Sequence, residues 1–422
     1  MLDIKFIRQN LDKVKQGCEK KQIKVDIDKL LVLDEQRRRY LKDVEFLKAE
    51  QNRLSDEISK EGDSARKGEQ ISKAQEIRDE IKKDDNILRS LTQEFHRLML
   101  QIPNIPFDDV PVGKDETQNV VLREVGERTR FDFEPKDYLT LAEKLDLIDV
   151  KRAAKISGSR FGYLKNEAAL LEFALLGLAL NTLIPKGFVP VIPPVMIKPE
   201  MARGMGYPEQ FDGEEAYFIE KDNLFLIGTA EQSLGPMHAN EVFEEKELPK
   251  RYVAFPCTAF RREAGSYGKD TRGIFRVHQF DKIEMFSFCK PKDSQKEHQL
   301  FLKIEEELMQ ALKIPYQVVQ ICTGDLGFPA AGKYDIEAWF PFEGRYRETH
   351  STSNCTDFQA RRLSIRWRDE DGRLNFVHTV NGTVFSQRPI LAILENYQQR
   401  DGDIKIPTVL QKYIGKKRIT RS

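Results

Sequence analysis

The chain has 422 residues with 68 basic and 68 acidic side chains, so its formal net charge is zero. Bulk charge therefore points to neither a nucleic-acid nor a membrane partner, and either would have to be met by a local patch. Five widely spaced cysteines (Cys18, Cys257, Cys289, Cys322, Cys355), with no Cys-x-x-Cys pair and six scattered histidines, argue against a disulfide framework and a structural zinc site, and fit a reducing compartment.

The N-terminal MLDIKFIRQN lacks an apolar signal core. Residues 28–100 then carry two heptad seams. The first runs Leu30, Leu33, Arg37, Tyr40, Val44, Leu47, Gln51, Leu54, Ile58; the second runs Ala74, Ile77, Ile81, Asp84, Leu88, Leu91, Phe95, Leu98. The polar stretch EGDSARKGE (61–69) breaks the pattern between them. Two helices of about 30 residues, each ~45 Å long at ~1.5 Å per residue, are expected to pair as an antiparallel hairpin. No third apolar stripe offers itself for packing, so the hairpin is expected to project into solvent. Arg37, Arg38, Arg39, Lys42, Lys48, Arg78, Lys82, Lys83 and Arg89 offer phosphate contacts, but acidic residues interleave with them. A partner-binding coil or a spacer fits this segment as well as an RNA-binding arm.

Pro103, Pro106 and Pro111 end the helical pattern and mark the domain boundary. The apolar run 168–184 contains Glu172 and Asn181, is short for a membrane span, and reads as a buried helix. A cytoplasmic protein with no membrane partner is expected. Downstream, short alternating runs such as AYFIE, LFLIG and RYVAFPCTAF mix with amphipathic helices such as 294–312, which predicts an α+β domain on an antiparallel sheet.

RYVAFPCTAFRRE, read as a strand, puts Arg261 and Glu263 on one face. The returning IFRVHQFDKIEMF puts Arg276, His278, Phe280 and Glu284 on one face and Phe275, Val277, Ile283 and Met285 on the other. The loop between them, AGSYGKDTRG, carries Lys269 and Arg272 and fits a flexible hairpin tip or a basic finger for a polyanion. A solvated sheet face remains an alternative for the charged side. In NGTVFSQRPILAILENYQ (381–398), Pro389 marks the first turn of a helix and places Arg388 at its N-terminus. A cation there opposes the macrodipole unless an anion lies between them. Arginines at two places plus an aromatic ring point to a nucleoside triphosphate, although neither a phosphate-binding loop of the GxxxxGK[ST] type nor a GxGxxG fingerprint is present. Glu348 and Ser351 supply hard oxygens suited to Mg²⁺ against phosphate, and fit a surface pair equally well.

In order and spacing these pieces resemble the bacterial-type seryl-tRNA synthetases, a class II aminoacyl-tRNA synthetase family, over essentially the whole chain. The resemblance rests on the hairpin, IPNIPFDDVPVGKDE, SGSRFGYL, GTAEQ, FRREAGSYGKDTRGIFRVHQFDKIE, SNCTDFQARR and AILENYQ, with KGFVPVIPP and its Pro194 as motif 1. It implies a tRNA-binding helical arm over 1–102 and a class II catalytic domain over 113–422. It implies attack of the L-serine carboxylate on the α-phosphorus of ATP, then transfer of the seryl group to tRNA(Ser), with tRNA(Sec) as a further acceptor and a homodimer as the assembly.

Carried over by position, Arg261, Glu263 and Arg388 are the catalytic set, Arg388 on the γ-phosphate and Arg261 on the α-phosphate and serine carboxylate. Arg262, Val277, Phe280, Glu348, Thr349, His350 and Ser351 join them around ATP, with Phe280 under adenine. Glu348 and Ser351 bind Mg²⁺, and no zinc is expected. Thr229, Ala230, Glu231, Glu284 and Thr383 hold serine. The segment Asn381–Arg388 is one residue shorter than in many relatives, which bears on Thr383 and Ser386. Two other readings stay open: an enzyme that adenylates a small amino acid for a different carrier, and a coiled-coil scaffold without turnover.

Overall fold

The computed structural model describes residues 1–207, 216–255, 257–263 and 272–421. The chain forms two compact units, Leu2–Pro103 and Asn104–Ser422, with Met1 belonging to the second.

In the first unit, α1 (Ile4–Gln9) and α2 (Leu11–Lys20) precede two long helices, α3 (Ile27–Lys60) and α4 (Ser64–Gln101). The seam residues Leu30, Leu33, Val44 and Leu54 of α3 and Ile81 and Leu98 of α4 are buried. The break between the helices is only three residues, Glu61 to Asp63, where a longer polar loop was expected. Asp63 accepts hydrogen bonds from the backbone N–H groups of Ala65 and Arg66, so the helix restarts at once through residues of good helical propensity. The polar seam position Arg37 has a specific partner: its guanidinium lies 4.7 Å from the centroid of the Phe95 ring on α4. Lys29–Glu94 at 2.9 Å and Lys48–Asp85 at 3.4 Å tie the two helices further.

The hairpin is not without neighbours, because α1 and α2 attach to α3. Asp34, 1% exposed, gathers Arg8 of α1 at 3.6 Å with Arg37 at 3.5 Å and Arg38 at 3.1 Å, and Lys15 of α2 pairs with Asp28 at 2.7 Å. Removing a buried acceptor leaves three cations facing one another. Asp34→Ala is expected to destabilise this unit by about 1.5–3 kcal/mol, read as an earlier loss of helicity in chemical denaturation of the full chain.

The second unit is built on a nine-stranded sheet. Its strands are β1 (Val120–Val125), β2 (Phe188–Val191), β3 (Lys250–Ala254), β4 (Thr258–Phe260), β5 (Gln279–Cys289), β6 (Tyr316–Gln320), β7 (Gly332–Phe340), β8 (Arg345–Thr356) and β9 (His378–Ser386). Across the sheet they run β1-β6-β7-β8-β9-β5-β3-β2, with β4 paired to β5. Every pair is antiparallel except β2–β3. Helix α6 (Ser294–Leu312) buries Phe301, Leu302, Ile304, Leu308 and Met309 in the main core with Met285 of β5. Helix α5 (Asn166–Leu183) is, with the turn to Lys186, long and apolar enough by composition to cross a membrane. Leu171, Leu175, Leu178 and Leu183 lie in the core, while Leu170 and Phe173 face outward, Phe173 with 71% of its surface exposed.

Two expected strands are shorter than their alternation suggested. RYVAFPCTAFRRE divides into β3 and β4, and Arg261 and Glu263 lie beyond the end of β4, with Glu263 at φ +55°. The return strand begins at Gln279 because the His278 N–H is given to the Arg160 carbonyl, outside the sheet. Residues 264–271, Lys269 among them, lie outside the described residues.

Candidate active site

The central strands β5, β8 and β9 turn one face to α6 and the other to a cavity of about 730 Å³. Two bulges decide what points into it. On β8, Ile336 of β7 pairs with His350 and Glu337 with Glu348, so Thr349 is the extra residue. On β9, Ile283 of β5 pairs with Phe385 and Glu284 with Thr383, so Val384 is the extra residue. In a regular strand, residues three apart face opposite ways. Each bulge cancels that rule, so Glu348 and Ser351, and likewise Thr383 and Ser386, share the cavity wall.

One end of the cavity is acidic. Glu284, 1% exposed, accepts a hydrogen bond from the Thr229 hydroxyl at 3.0 Å and pairs with Lys282 Nζ at 2.5 Å. Glu231, 6% exposed, accepts a hydrogen bond from the Tyr207 hydroxyl. Burial first, and the charge of Glu284 second, push the Glu231 carboxyl up to about 7.

The other end is cationic. Arg261 Nε donates to the Gly228 carbonyl at 2.9 Å, and its guanidinium lies 5.2 Å from the Phe280 ring centroid. Arg388 opens helix α7 (Arg388–Asn396), with Pro389 in the first turn. Its Nη1 meets Glu348 Oε2 at 2.9 Å and donates to the Glu348 carbonyl at 3.1 Å, and its guanidinium lies 4.8 Å from the Phe275 ring centroid. Burial pulls the Glu348 carboxyl up, but Arg388 and Lys333 outweigh it and hold the group well below the usual carboxylate range, ionised at neutral pH. Arg276 Nη1 donates to Glu263 Oε2 at 2.9 Å, a bond that fixes the left-handed turn at Glu263.

Of the residues singled out from the sequence, Thr229, Glu231, Arg261, Glu263, Val277, Phe280, Glu284, Glu348, Thr349, Ser351, Thr383 and Arg388 line this one cavity. Three do not. Ala230 is fully buried in a second core cluster; Arg262 is exposed, with its guanidinium 5.9 Å from the Tyr217 ring centroid; His350 is buried edge-on to Phe385 at 5.7 Å between centroids. The cavity also holds residues that reasoning from sequence passed over: Tyr207, Lys282 and Lys333. Lys282 stands two residues from both Phe280 and Glu284, so strand alternation was signal enough for it. Tyr207 arrives from a distant segment, and nothing local marks it.

Such a sheet, with arginines at one end of its cavity and buried carboxyls at the other, is the core of a class II aminoacyl-tRNA synthetase, and residues 216–397 match the tRNA synthetase class II core domain (G, H, P, S and T). Residues 1–106 match the seryl-tRNA synthetase N-terminal domain. The serine–tRNA ligase of Dictyoglomus thermophilum is 44% identical over 423 residues, with 98% of each chain covered. The crystal structure of seryl-tRNA synthetase from Pyrococcus horikoshii complexed with ATP superposes with a TM-score of 0.93 at 43% identity, covering 100% of both chains. The cytoplasmic serine–tRNA ligase from Naegleria fowleri in complex with AMP gives 0.88 at 33% identity, covering 100% of this chain and 99% of that one. The chain belongs to the seryl-tRNA synthetase family.

Proposed function

We propose that this chain is a serine–tRNA ligase that forms seryl-adenylate from L-serine and ATP and transfers the seryl group to tRNA(Ser). The observation that carries the reading is the polarity of this cavity. Its arginines suit a triphosphate, and its buried carboxyls suit an amino acid with an ammonium and a hydroxyl. Adenine stacks on Phe280, Arg388 grips the terminal phosphate, and Arg261 neutralises both the α-phosphate and the incoming serine carboxylate. That carboxylate attacks the α-phosphorus and pyrophosphate leaves, so no protein nucleophile is required. The terminal ribose hydroxyl of the tRNA then attacks the acyl carbonyl and AMP departs. Positioning and charge stabilisation supply the acceleration.

Glu348 and Ser351 fit a magnesium site. They are neighbouring hard oxygens on one wall, one of them ionised, and Mg²⁺ takes only one or two protein ligands when phosphates supply others. Bound there with ATP, Mg²⁺ would neutralise charge on the triphosphate. Among the described residues no cluster of three or more His, Cys, Asp or Glu stands ready for a metal.

Serine is selected by a buried acceptor. Thr229 and Glu231 face its ammonium, and Glu284 with Thr383 faces its hydroxyl. Alanine would leave Glu284 without that partner, and a site built around a hydroxyl rejects an analogue lacking it by ~10⁴–10⁵. Pyrophosphate exchange tried with each of the twenty amino acids should respond to serine alone. In that assay Arg261→Ala should cut kcat/KM by ~10²–10³. Exchange driven equally well by another amino acid would overturn the reading.

The N-terminal unit is the arm that receives the tRNA, recognising shape and backbone. Arg37 and Arg38 are engaged by Asp34 and Lys48 by Asp85, which leaves Arg39, Lys42, Arg78, Lys82, Lys83 and Arg89 as the cations for phosphate. The same mode extends to tRNA(Sec), and the reaction belongs to cytoplasmic protein synthesis. Deleting residues 28–100 should spare serine-dependent pyrophosphate exchange and abolish charging of tRNA(Ser). Charging at near-normal rates would remove the arm from the mechanism.

The working form is a homodimer. Helix α5 and the sheet-end strand β2, with the residues just past them, leave Phe173 (71%), Ile192 (72%), Val189 (50%) and Ile184 (48%) exposed, apolar surface of the kind a second copy covers. Phe173→Glu should shift the protein toward monomer in analytical ultracentrifugation.

A further inference from the structure

The amino-acid end of the cavity has a charge problem that its two carboxyls cannot solve. Glu231 and Glu284 are both buried, and burial together with the charge of Glu284 pushes the Glu231 carboxyl up. A protonated Glu231 offers little to a substrate ammonium. Lys282 is the neighbour that opposes this. Its side chain is 15% exposed and lines the cavity, with Nζ 2.5 Å from Glu284 Oε2 and 3.4 Å from Thr229 Oγ1. It therefore touches two of the groups assigned to serine while lying on the same strand face as Phe280, the adenine platform.

The other charged or titratable groups around it come from every neighbouring element. Glu231 belongs to the short helix Glu231–Leu234, Cys257 and Arg261 flank β4, Glu305 comes from α6, and His350 from β8. Arg261 also favours the Glu231 carboxylate, less than Lys282 does, and its Nε is held by the Gly228 carbonyl. Burial drives Glu305 strongly toward its neutral form. Lys282 is thus the cation in contact with Glu284.

We infer that Lys282 is the positioning residue of the amino-acid pocket: its ammonium, in contact with both the Glu284 carboxyl and the Thr229 hydroxyl, holds these two groups in place for serine and favours the acidic form of the pocket that attracts the substrate ammonium. This rests on the serine–tRNA ligase reading. Lys282 makes and breaks no bond in the reaction and acts through Glu284 and Thr229. A lysine suits the place because a compact ammonium with three donors can serve two acceptors at once.

The test is serine-dependent pyrophosphate exchange by the full-length enzyme as a function of pH. In the unsubstituted enzyme kcat/KM for serine should fall as pH drops through about 7, where Glu231 takes up a proton and its attraction for the ammonium is lost. Lys282→Met removes a cation that favours the Glu231 carboxylate, so this acid limb should move to higher pH. The KM for serine should rise about tenfold or more near neutrality, while the KM for ATP changes by less than roughly twofold. Lys282→Arg restores a cation and should return the acid limb toward its original position, whereas Lys282→Gln should not. An unmoved acid limb in Lys282→Met overturns the inference, as does a parallel rise in both KM values, which marks a structural role. If Lys282→Met does not fold, identical acid limbs in Lys282→Arg and Lys282→Gln overturn it. Failure of the unsubstituted enzyme to exchange pyrophosphate with serine would instead overturn the underlying reading.

Discussion

The catalytic unit depends on placing a carboxyl group where water barely reaches and giving it a cation as neighbour. Glu284 lies on the central strand β5 with 1% of its surface exposed, flanked by Ala254 of β3 and Thr383 of β9. An ionised group there is costly unless it is paired and hydrogen-bonded. The pairing recurs along the cavity: Lys282 with Glu284, Arg388 with Glu348, Arg276 with Glu263, Lys333 with Asp335. Exchanging such pairs for packed apolar residues often leaves stability unchanged or improved, so stability does not account for them. What they supply is preorganisation: each cation is already held in place before a phosphate or carboxylate arrives, and little reorganisation remains for the reaction to drive.

The parts of this fold that obey a single period were readable from the sequence. Leu30, Leu33, Val44, Leu54, Ile81 and Leu98 are buried where the two seams put them, and helices Ser294–Leu312 and Arg388–Asn396 follow from their apolar spacing and from Pro389. Arg37 shows the limit. On the seam it reads as an interruption, yet Phe95 and Asp34 make it part of the packing, and a long cationic side chain can do this because its stem is apolar and its head planar. The small helices α1 and α2 were missed because they are too short to show a periodic stripe. Their attachment through Asp34 is a tertiary contact that no local pattern encodes. Tyr207 escaped for the same reason.

The apolar run at 168–184 shows why composition alone cannot place a helix. Leu171, Leu175 and Leu178 enter the core, whereas Phe173 does not, although both sets are equally apolar. A helix hydrophobic on all sides signals that every face is to be covered, without saying by what. Here one side is covered by the chain's own sheet and helices, and the outward side is the one assigned above to a second copy.

The site itself departs from periodicity by design. Strand alternation would send Glu348 and Ser351 to opposite faces, and Thr383 and Ser386 likewise, yet all four line the cavity because Thr349 and Val384 are each inserted without a partner. The extra residue adds a half-turn of the pleat, so side chains three apart converge, and hydroxyls and a carboxylate from two strands concentrate on one wall. The core side sets the limit on this arrangement. Gly382 sits opposite Met285, and a Cβ there would come within 2.9 Å of Met285 Cε and 3.1 Å of both Glu305 Oε1 and Thr352 Oγ1. A larger residue at 382 would therefore have to displace Met285, Glu305 and Thr352 side chains, and glycine spares the strand that crowding against α6. With the bulge at Val384, six residues carry the chain from Thr383, beside Glu284, to Arg388 at the helix N-terminus, so the two ends of the cavity are joined by one continuous strand–helix unit.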